Sequence, residues 1–342
     1  VARQKRLDLE FIRRLSLWLS DNICEDYDLH KEILYPLLDK VFSDGDLLTI
    51  NTKSGLTLDY IYRSGLAKEI LLRDEWISAY VWEPVTTMAI ISILEDRHGS
   101  CLICGAYFGD QVVPAADALK KLSSASKVLA VEPNADQVDL LSKNLRANNL
   151  SSYVEVVESF LWSEQFVNLR LDEHDSLAAA VVSDEGTASK TIESICHEFN
   201  VVDLSLIVLD IEGSELRALK GAESFLSRDS EAAPEIIFEV NSRFVDWSCG
   251  LANIEIVRYL ESFGYSVFAL RDGQSNRAHQ LDRPELVPLG SAIVDGPPHG
   301  FNLIASKQTN FFSGSRFRFV DHVSPKYLRH RDLRLHAPLD GA

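Results

Sequence analysis

The chain has 342 residues, 46% of them hydrophobic and 25% charged, the composition of a globular protein with one large domain and an extension, or with two domains. Its formal net charge of -17 disfavours broad attraction to nucleic acid or to an anionic membrane, with Arg316, Arg318, Lys326, Arg329, Arg331 and Arg334 as a local basic exception. No apolar run reaches the ~18 residues of a membrane-spanning helix and the opening VARQKRLDLEFIRRL lacks a signal-peptide core, so a cytoplasmic protein is expected.

In chain order, Leu7, Phe11, Leu15 and Trp18 recur at helical spacing, and LHKEILYPLLDKVF resumes the pattern until Gly45. Residues 1–84 are therefore expected to form a helical extension, used as a lid over a site or as an oligomer contact such as a homodimer interface. Trp76, Tyr80 and Trp82 cluster at its end, as core residues or as a stacking surface for a ring.

From residue 85 short apolar runs alternate with helical segments: CLIC, KVLAVEP, YVEVV, LIVLD and EIIFEV. Crossover helices are predicted over Ala115 to Leu122 and Gln137 to Asn148. This grammar predicts an α/β fold over 85–310, a mostly parallel sheet with helices on both faces. A helix around Ile254 to Phe263 follows, then YSVFAL and NLIAS, two strands close enough to pair antiparallel. Residues 311–342 are expected to be a basic tail. The cysteines at 24, 101, 104, 196 and 249 are odd in number and scattered, which suits a reducing compartment. Cys101 and Cys104 form a C-x-x-C, but three positions apart on a strand they face opposite sides and are core residues.

Ligands of doubly wound sheets sit at the carboxyl ends of the strands, beside the first one. There the first run ends in CGAYFGD, where Gly105 and Gly109 permit a tight turn and close backbone approach. The spacing is not G-x-G-x-x-G, and Tyr107 stands where a second glycine would admit a pyrophosphate, which counts against a nicotinamide-dependent oxidoreductase. Glu132 closes the second run, where an acid can accept ribose hydroxyls or is a surface residue before the turn-making Pro133. Glu158 and Ser159 close the third, near an adenine or in an ordinary loop. The fourth run ends in LDIEGSELRALKGA, whose Asp210 and Glu212 have no structural need for charge. Ser214 is a candidate cap for the following helix and Glu215 a favourable charge near its N-terminus, with Gly213 in the turn.

CGAYFGD, AVEPNADQVDLLSKNLRANNL and DIEGSELRALKGA followed by PEIIFEVN resemble, in order and over residues 82–306, the motifs of FkbM-type S-adenosylmethionine-dependent methyltransferases. The resemblance implies a Rossmann-like class I methyltransferase fold with a seven-stranded sheet. It implies cofactor contacts at Gly105, Ala106, Tyr107 and Gly109, at Glu132, Pro133 and Asn134, at Glu158 and Ser159, and at Asp210. It also implies O-methylation of a sugar, glycoside or polyketide-like hydroxyl. In one place the sequence departs from the family: Ile103 stands where an acid usually precedes the glycine turn. A methyltransferase-like binding protein without turnover is therefore the second class.

Asp210 and Glu212, with Glu239 and Asn241 from FEVN, are the candidate catalytic residues if strands four and five are neighbours. Oxygen ligands on adjacent strand ends suit Mg²⁺, which would hold the acceptor hydroxyl and lower its pKa. The alternative is metal-free general-base catalysis by a carboxylate, or by His279 or His299 in the loop from Arg271 to Gly300, a candidate lid. The acceptor partner is expected to be a small hydroxylated molecule rather than nucleic acid or membrane.

Overall fold

The structure is a computed structural model and describes residues 2–22, 29–72, 80–172, 178–273, 283–294, 300–308 and 310–326. Helix α1 (Ala2–Asn22) opens the chain, and strands β1 (Asp46–Asn51) and β2 (Thr57–Tyr62) form an antiparallel hairpin before α2 (Gly65–Leu72). The extension is thus not wholly helical. TLDYIY buries every second residue, the period-2 pattern of a strand, which a reading guided by the preceding helical periodicity passes over.

Nor does the hairpin swing free of the larger domain. Asn144 and Asn148, on and just after α5 (Ala135–Ala147), use their amide side chains to pair with the β2 backbone: Asn144 with Asp59 N–H and C=O, Asn148 with Thr57 N–H and C=O. Leu58 and Tyr60 enter the same hydrophobic core as Ile103, Phe108 and Leu141.

The main layer is a nine-stranded sheet. Its strands are β3 (Ser100–Cys104), β4 (Val128–Glu132), β5 (Val154–Glu158), β9 (Leu204–Leu209), β10 (Glu235–Asn241), β11 (Ser266–Arg271), β12 (Glu285–Pro288), β13 (Gly300–Ser306) and β14 (Arg318–Phe319). The order is β5-β4-β3-β9-β10-β13-β11-β12-β14. The first seven make a seven-stranded sheet of the kind the motif resemblance implies, parallel from β5 to β10 with β13 inserted antiparallel, and β12 and β14 extend its edge. β3, β4 and β9 are buried along their whole length, as strands covered on both faces must be. Helices α3 (Pro84–Arg97), α4 (Val112–Lys121), α5, α6 (Ile192–Glu198), α7 (Glu215–Lys220) and α8 (Glu255–Ser262) supply the layers.

Two further departures lie downstream of the third and the last apolar runs. Between β5 and α6 the chain builds a small antiparallel sheet, β7-β6-β8 (β6 Asn168–Leu171, β7 Ala180–Val182, β8 Thr187–Ala188), over Phe160, Trp162 and Leu169. Within the expected basic tail, residues 311–326 pack on the sheet: Phe312 and Phe317 are core residues, β14 pairs with β12, and Lys326 is buried. No described helix is long and apolar enough to cross a membrane.

Candidate active site

Register builds the site. Cys104 lies opposite Val131 of β4 and Leu209 of β9, and Leu209 lies opposite Phe238 of β10. The next residue on each strand therefore falls in one row along the carboxyl edge: Gly105, Glu132, Asp210 and Glu239. β3 has β4 on one side and β9 on the other, so the row straddles the switch point where crossovers change face.

At the β3–β4 end the first loop is tied to the second. Glu132 is buried, its Oε2 accepts the Tyr107 N–H at 2.9 Å and its Oε1 the Asn134 N–H at 2.9 Å. Burial raises its pKa, and those two backbone hydrogen bonds oppose the rise. A carboxylate has about four lone-pair sites, so two backbone donors fix its plane and leave acceptor capacity for a ligand's diol. The donor set thus fits the ribose of S-adenosylmethionine. Asn134 caps α5, its side chain accepting from Asp136 N and Gln137 N. The two glycines serve the fold more directly than a ligand: a Cβ on Gly105, at φ +79°, would lie 1.8 Å from the Asp210 carbonyl oxygen, and one on Gly109 2.7 Å from Leu141 Cδ1. Ala106 is buried, Tyr107 adopts φ 44° and Pro133 is half-buried. Glu158 is exposed opposite Glu132, and the buried Ser159 hydroxyl donates to Phe160 C=O.

At the β9–β10 end three carboxylates converge. Asp210, Glu212 and Glu239 each offer one oxygen, all within 4.8 Å of one another. They keep partial solvent contact, yet protein packs closely around them and all three are pushed toward protonation. Burial is the first cause in each case; repulsion comes second, for Asp210 chiefly from Glu239 and Glu83, and for Glu239 chiefly from Glu212 and Glu83. Glu212 is pushed up to about 9, with Asp210 its main repelling neighbour and Arg243 opposing. Its Oε2 is buried without a hydrogen-bond partner. The set fits a divalent cation in donor chemistry, three hard oxygens with one orphaned and charge to spare.

Other residues of this motif have structural duties. Glu215 is buried and its Oε1 accepts from Ile211 N–H and Gly213 N–H, each at 3.1 Å, so it knits the turn rather than facing a ligand. Ser214 stands at the N-cap position without a side-chain cap bond. Gly213 is at φ +91° against the Phe244 ring. Asn241 is not among the three converging carboxylates: its Oδ1 accepts the Arg243 N–H at 3.1 Å and organises the turn after β10.

Four residues that sequence reasoning passed over complete this end. Asn302 of β13 is the register partner of Glu239, and its amide donates to Glu83 Oε2 at 2.6 Å and to Thr86 Oγ1 at 3.0 Å. Partners in register show their side chains on one face, so Asn302 brings Glu83 beside Glu239. Glu83 is buried at φ 40°, immediately before α3. Asp272, just after β11, binds the first amides of that helix, Val85 N at 3.1 Å and Thr86 N at 2.6 Å, and burial pushes it up to about 6. Lys326 lies buried beyond them. A lone Asn in the apolar FNLIAS and a Glu before the helix-starting Pro84 are the signals that could have flagged Asn302 and Glu83. Nothing local marks Lys326.

Ile103 is a core residue of β3, 1% exposed, so the family's usual acid has no counterpart there. Glu83 is the buried acid this site has in addition. His279, His299 and Trp76 lie outside the described residues.

Residues 104–267 match the methyltransferase FkbM domain. The chain carries an FkbM methyltransferase domain, as its DIEGSELRALKGA and EPN motifs imply. Solved structures similar to it include an O-methyltransferase from Bacillus cereus in complex with SAH, at 14% identity and TM-score 0.38 over 87% of this chain and 100% of that one. A precorrin-6y C5,15-methyltransferase from Geobacter metallireducens shares 12% identity at TM-score 0.37, over 65% and 87% of the respective chains. An S-adenosylmethionine-dependent O-methyltransferase from Thermotoga maritima shares 16% identity at TM-score 0.32, over 79% and 81%. No curated protein matches the chain. The FkbM domain contains Glu132, Asp210, Glu212 and Glu239, whereas Glu83, Asp272, Asn302 and Lys326 lie outside its matched span.

Proposed function

We propose that the protein is an S-adenosylmethionine-dependent O-methyltransferase acting on a hydroxyl of a small or medium metabolite. The observation that carries this reading is the row of strand ends, with the ribose-type acid Glu132 on one side of Gly105 and the carboxylates Asp210 and Glu239 on the other. Glu132 orients the ribose, and its tether to Tyr107 N–H holds the first loop against the same ligand. Bound S-adenosylmethionine supplies a methyl group on a positively charged sulfur. With that cofactor held there, the methyl group would pass from sulfur to the acceptor oxygen, and a carboxylate of the cluster would take the hydroxyl proton. Carboxylates pushed toward protonation are better general bases near neutral pH than ordinary ones. Alignment of oxygen, carbon and sulfur is the larger contribution asked of the protein. Tyr80 and Trp82, half-exposed just before Glu83, are the aromatic surface nearest in sequence to this end and suit a sugar or polyketide ring.

Mg²⁺ held by Asp210, Glu212 and Glu239 is the second reading, favoured by the convergence of their oxygens and by the orphaned Glu212 Oε2. Turnover that survives EDTA supports the metal-free base; loss in EDTA with recovery on Mg²⁺ supports the ion. Buried, unpaired Cys101, Cys104 and Cys196 accord with a cytoplasmic setting. Calorimetry with S-adenosylmethionine and S-adenosylhomocysteine, with NAD as control, tests the assignment. Micromolar binding that Glu132→Ala weakens about tenfold or more is expected, and none for NAD. No binding of either sulfur compound would overturn it, and binding without transfer to any hydroxylated acceptor would leave a binding protein.

A further inference from the structure

The loop after β3 is held from the N-terminal hairpin as well as from the sheet. Two positions along a strand span about 7 Å and four along a helix about 6 Å, so the amides of Asn144 and Asn148 can stand beside Thr57 and Asp59 as a third strand would. Each takes one N–H and one C=O of β2. Their second N–H groups go different ways. That of Asn148 returns to its own helix, donating to Asn144 C=O at 2.8 Å, whereas that of Asn144 donates to Phe108 C=O at 2.8 Å, inside CGAYFGD. Asn144 and Phe108 are each 1% exposed, so this bond is made away from solvent, where an unpaired carbonyl is costly.

The stretch it holds is constrained on both sides. Tyr107 is at φ 44°, a conformation that costs a residue other than glycine some energy, and its N–H is fixed by Glu132, while Gly109 N–H closes the turn on Ala106 C=O. Glu132 thus holds the Tyr107–Phe108 unit at its N–H from β4, and Asn144 holds it at its C=O from α5. The hairpin adds side-chain contacts of its own: the Tyr60 and Phe108 rings lie 6.1 Å apart, and the Ser64 and Tyr107 hydroxyls 3.5 Å. Asp59 N–H and C=O together fix the plane of the Asn144 amide, at 2.7 and 2.9 Å, and a planar amide fixed by two bonds directs its remaining N–H one way.

We propose that Asn144 is a positioning residue of the cofactor loop: by dividing its amide between Asp59 and Phe108 it makes the β1–β2 hairpin, which lies outside the residues matched to the FkbM domain, part of the apparatus that holds S-adenosylmethionine. This rests on reading CGAYFGD as the loop that receives the cofactor. Glu132 would meet the ribose while bonded to Tyr107 N–H, so whatever fixes the next peptide also fixes the acid's partner.

Hydrogen exchange on the ligand-free full chain compares wild type, Asn144→Ala and Asn148→Ala. Both variants are expected to speed exchange in residues 57–62. Only Asn144→Ala is expected to speed it in residues 105–109, by about tenfold or more relative to β10. Loop exchange left unchanged by Asn144→Ala would overturn the proposal, as would equal acceleration in Asn148→Ala, which marks general loosening. Should Asn144→Ala not fold, Asn144→Asp is read in the same way, since it keeps an acceptor for Asp59 N–H and has no amide N–H for Phe108 C=O. In calorimetry with S-adenosylhomocysteine, Asn144→Ala is expected to weaken binding about tenfold and Asn148→Ala less than about threefold; equal affinity in wild type and Asn144→Ala would also overturn the proposal. A wild type that binds no S-adenosylhomocysteine sinks the proposed function, whereas the exchange contrast, measured without ligand, still decides whether Asn144 ties the hairpin to the loop.

Discussion

Replacing Glu212 by Gln is expected to stabilise the protein, and to do so more at high pH. Glu212 ionises near 4.5 in an unfolded chain and near 9 in the fold, because burial and the Asp210 carboxylate disfavour its charge. The folded state holds this proton more tightly, so the group's stabilising contribution is complete below about pH 4.5 and is lost as pH rises through about 9. Keeping the carboxyl protonated at pH 7 costs about 1.4 kcal/mol for each pH unit above 4.5, roughly 3 kcal/mol in all. Glu212 retains part of its surface in water and shares the cluster's protons with Asp210 and Glu239, so roughly 1–2 kcal/mol of that is expected to appear in Glu212→Gln. No hydrogen bond is lost at Oε2, which has no partner, and the new amide can donate to the adjacent carboxylates. Urea unfolding followed by tryptophan fluorescence in metal-free buffer at pH 5.5 and 8.5 reads the difference. A gain of the same size at both pH values, or a variant less stable than wild type at pH 8.5, refutes the reasoning.

The frame around the site supports two stability predictions. Gly105→Ala forces a side chain into a positive-φ position and against the Asp210 carbonyl, so the β3 and β9 loops must part; a loss of about 3 kcal/mol or more is expected, and thermal unfolding within a degree or two of wild type would contradict it. Arg271 and Glu285 form a buried ion pair at 3.0 Å, with Arg318 also on Glu285, so Arg271→Met is expected to destabilise by about 2–3 kcal/mol in denaturant unfolding. Arg271→Met combined with Glu285→Leu should recover much of that loss, since no unpaired charge then remains in the core.

What the sequence disclosed and what it hid divide along physical lines. Strand runs buried on both faces announce themselves as apolar blocks, and their order of crossovers dictates adjacency, so the encounter of Glu239 with Asp210 could be foreseen from FEVN and LIVLD. DIEGSELRALKGA is legible as a family motif, yet which of its acids turns inward is set by hydrogen bonds no pattern encodes: Glu215 accepts from two loop amides, whereas Glu212 keeps an orphaned oxygen. The TLDYIY hairpin was hidden because helical periodicity on both sides masked a six-residue alternation. Glu83, Asp272, Asn302 and Lys326 reach the site through contacts between positions far apart in the chain, which neither spacing nor composition can express.

The distance along the chain from β13 to β14 has a consequence for biosynthesis. A nascent polypeptide that has emerged through Ser306 possesses all seven strands from β5 to β11 in sheet order, together with Glu83, Asp210, Glu239 and Asp272, but not Phe312, Phe317 or β14. Until these emerge, β12 lacks its outer partner and the core beneath it lacks two rings. The loops tied together by Glu132 need nothing from this late stretch. On the ribosome the two ends of the sheet therefore mature in sequence, the Glu132 end before the far edge.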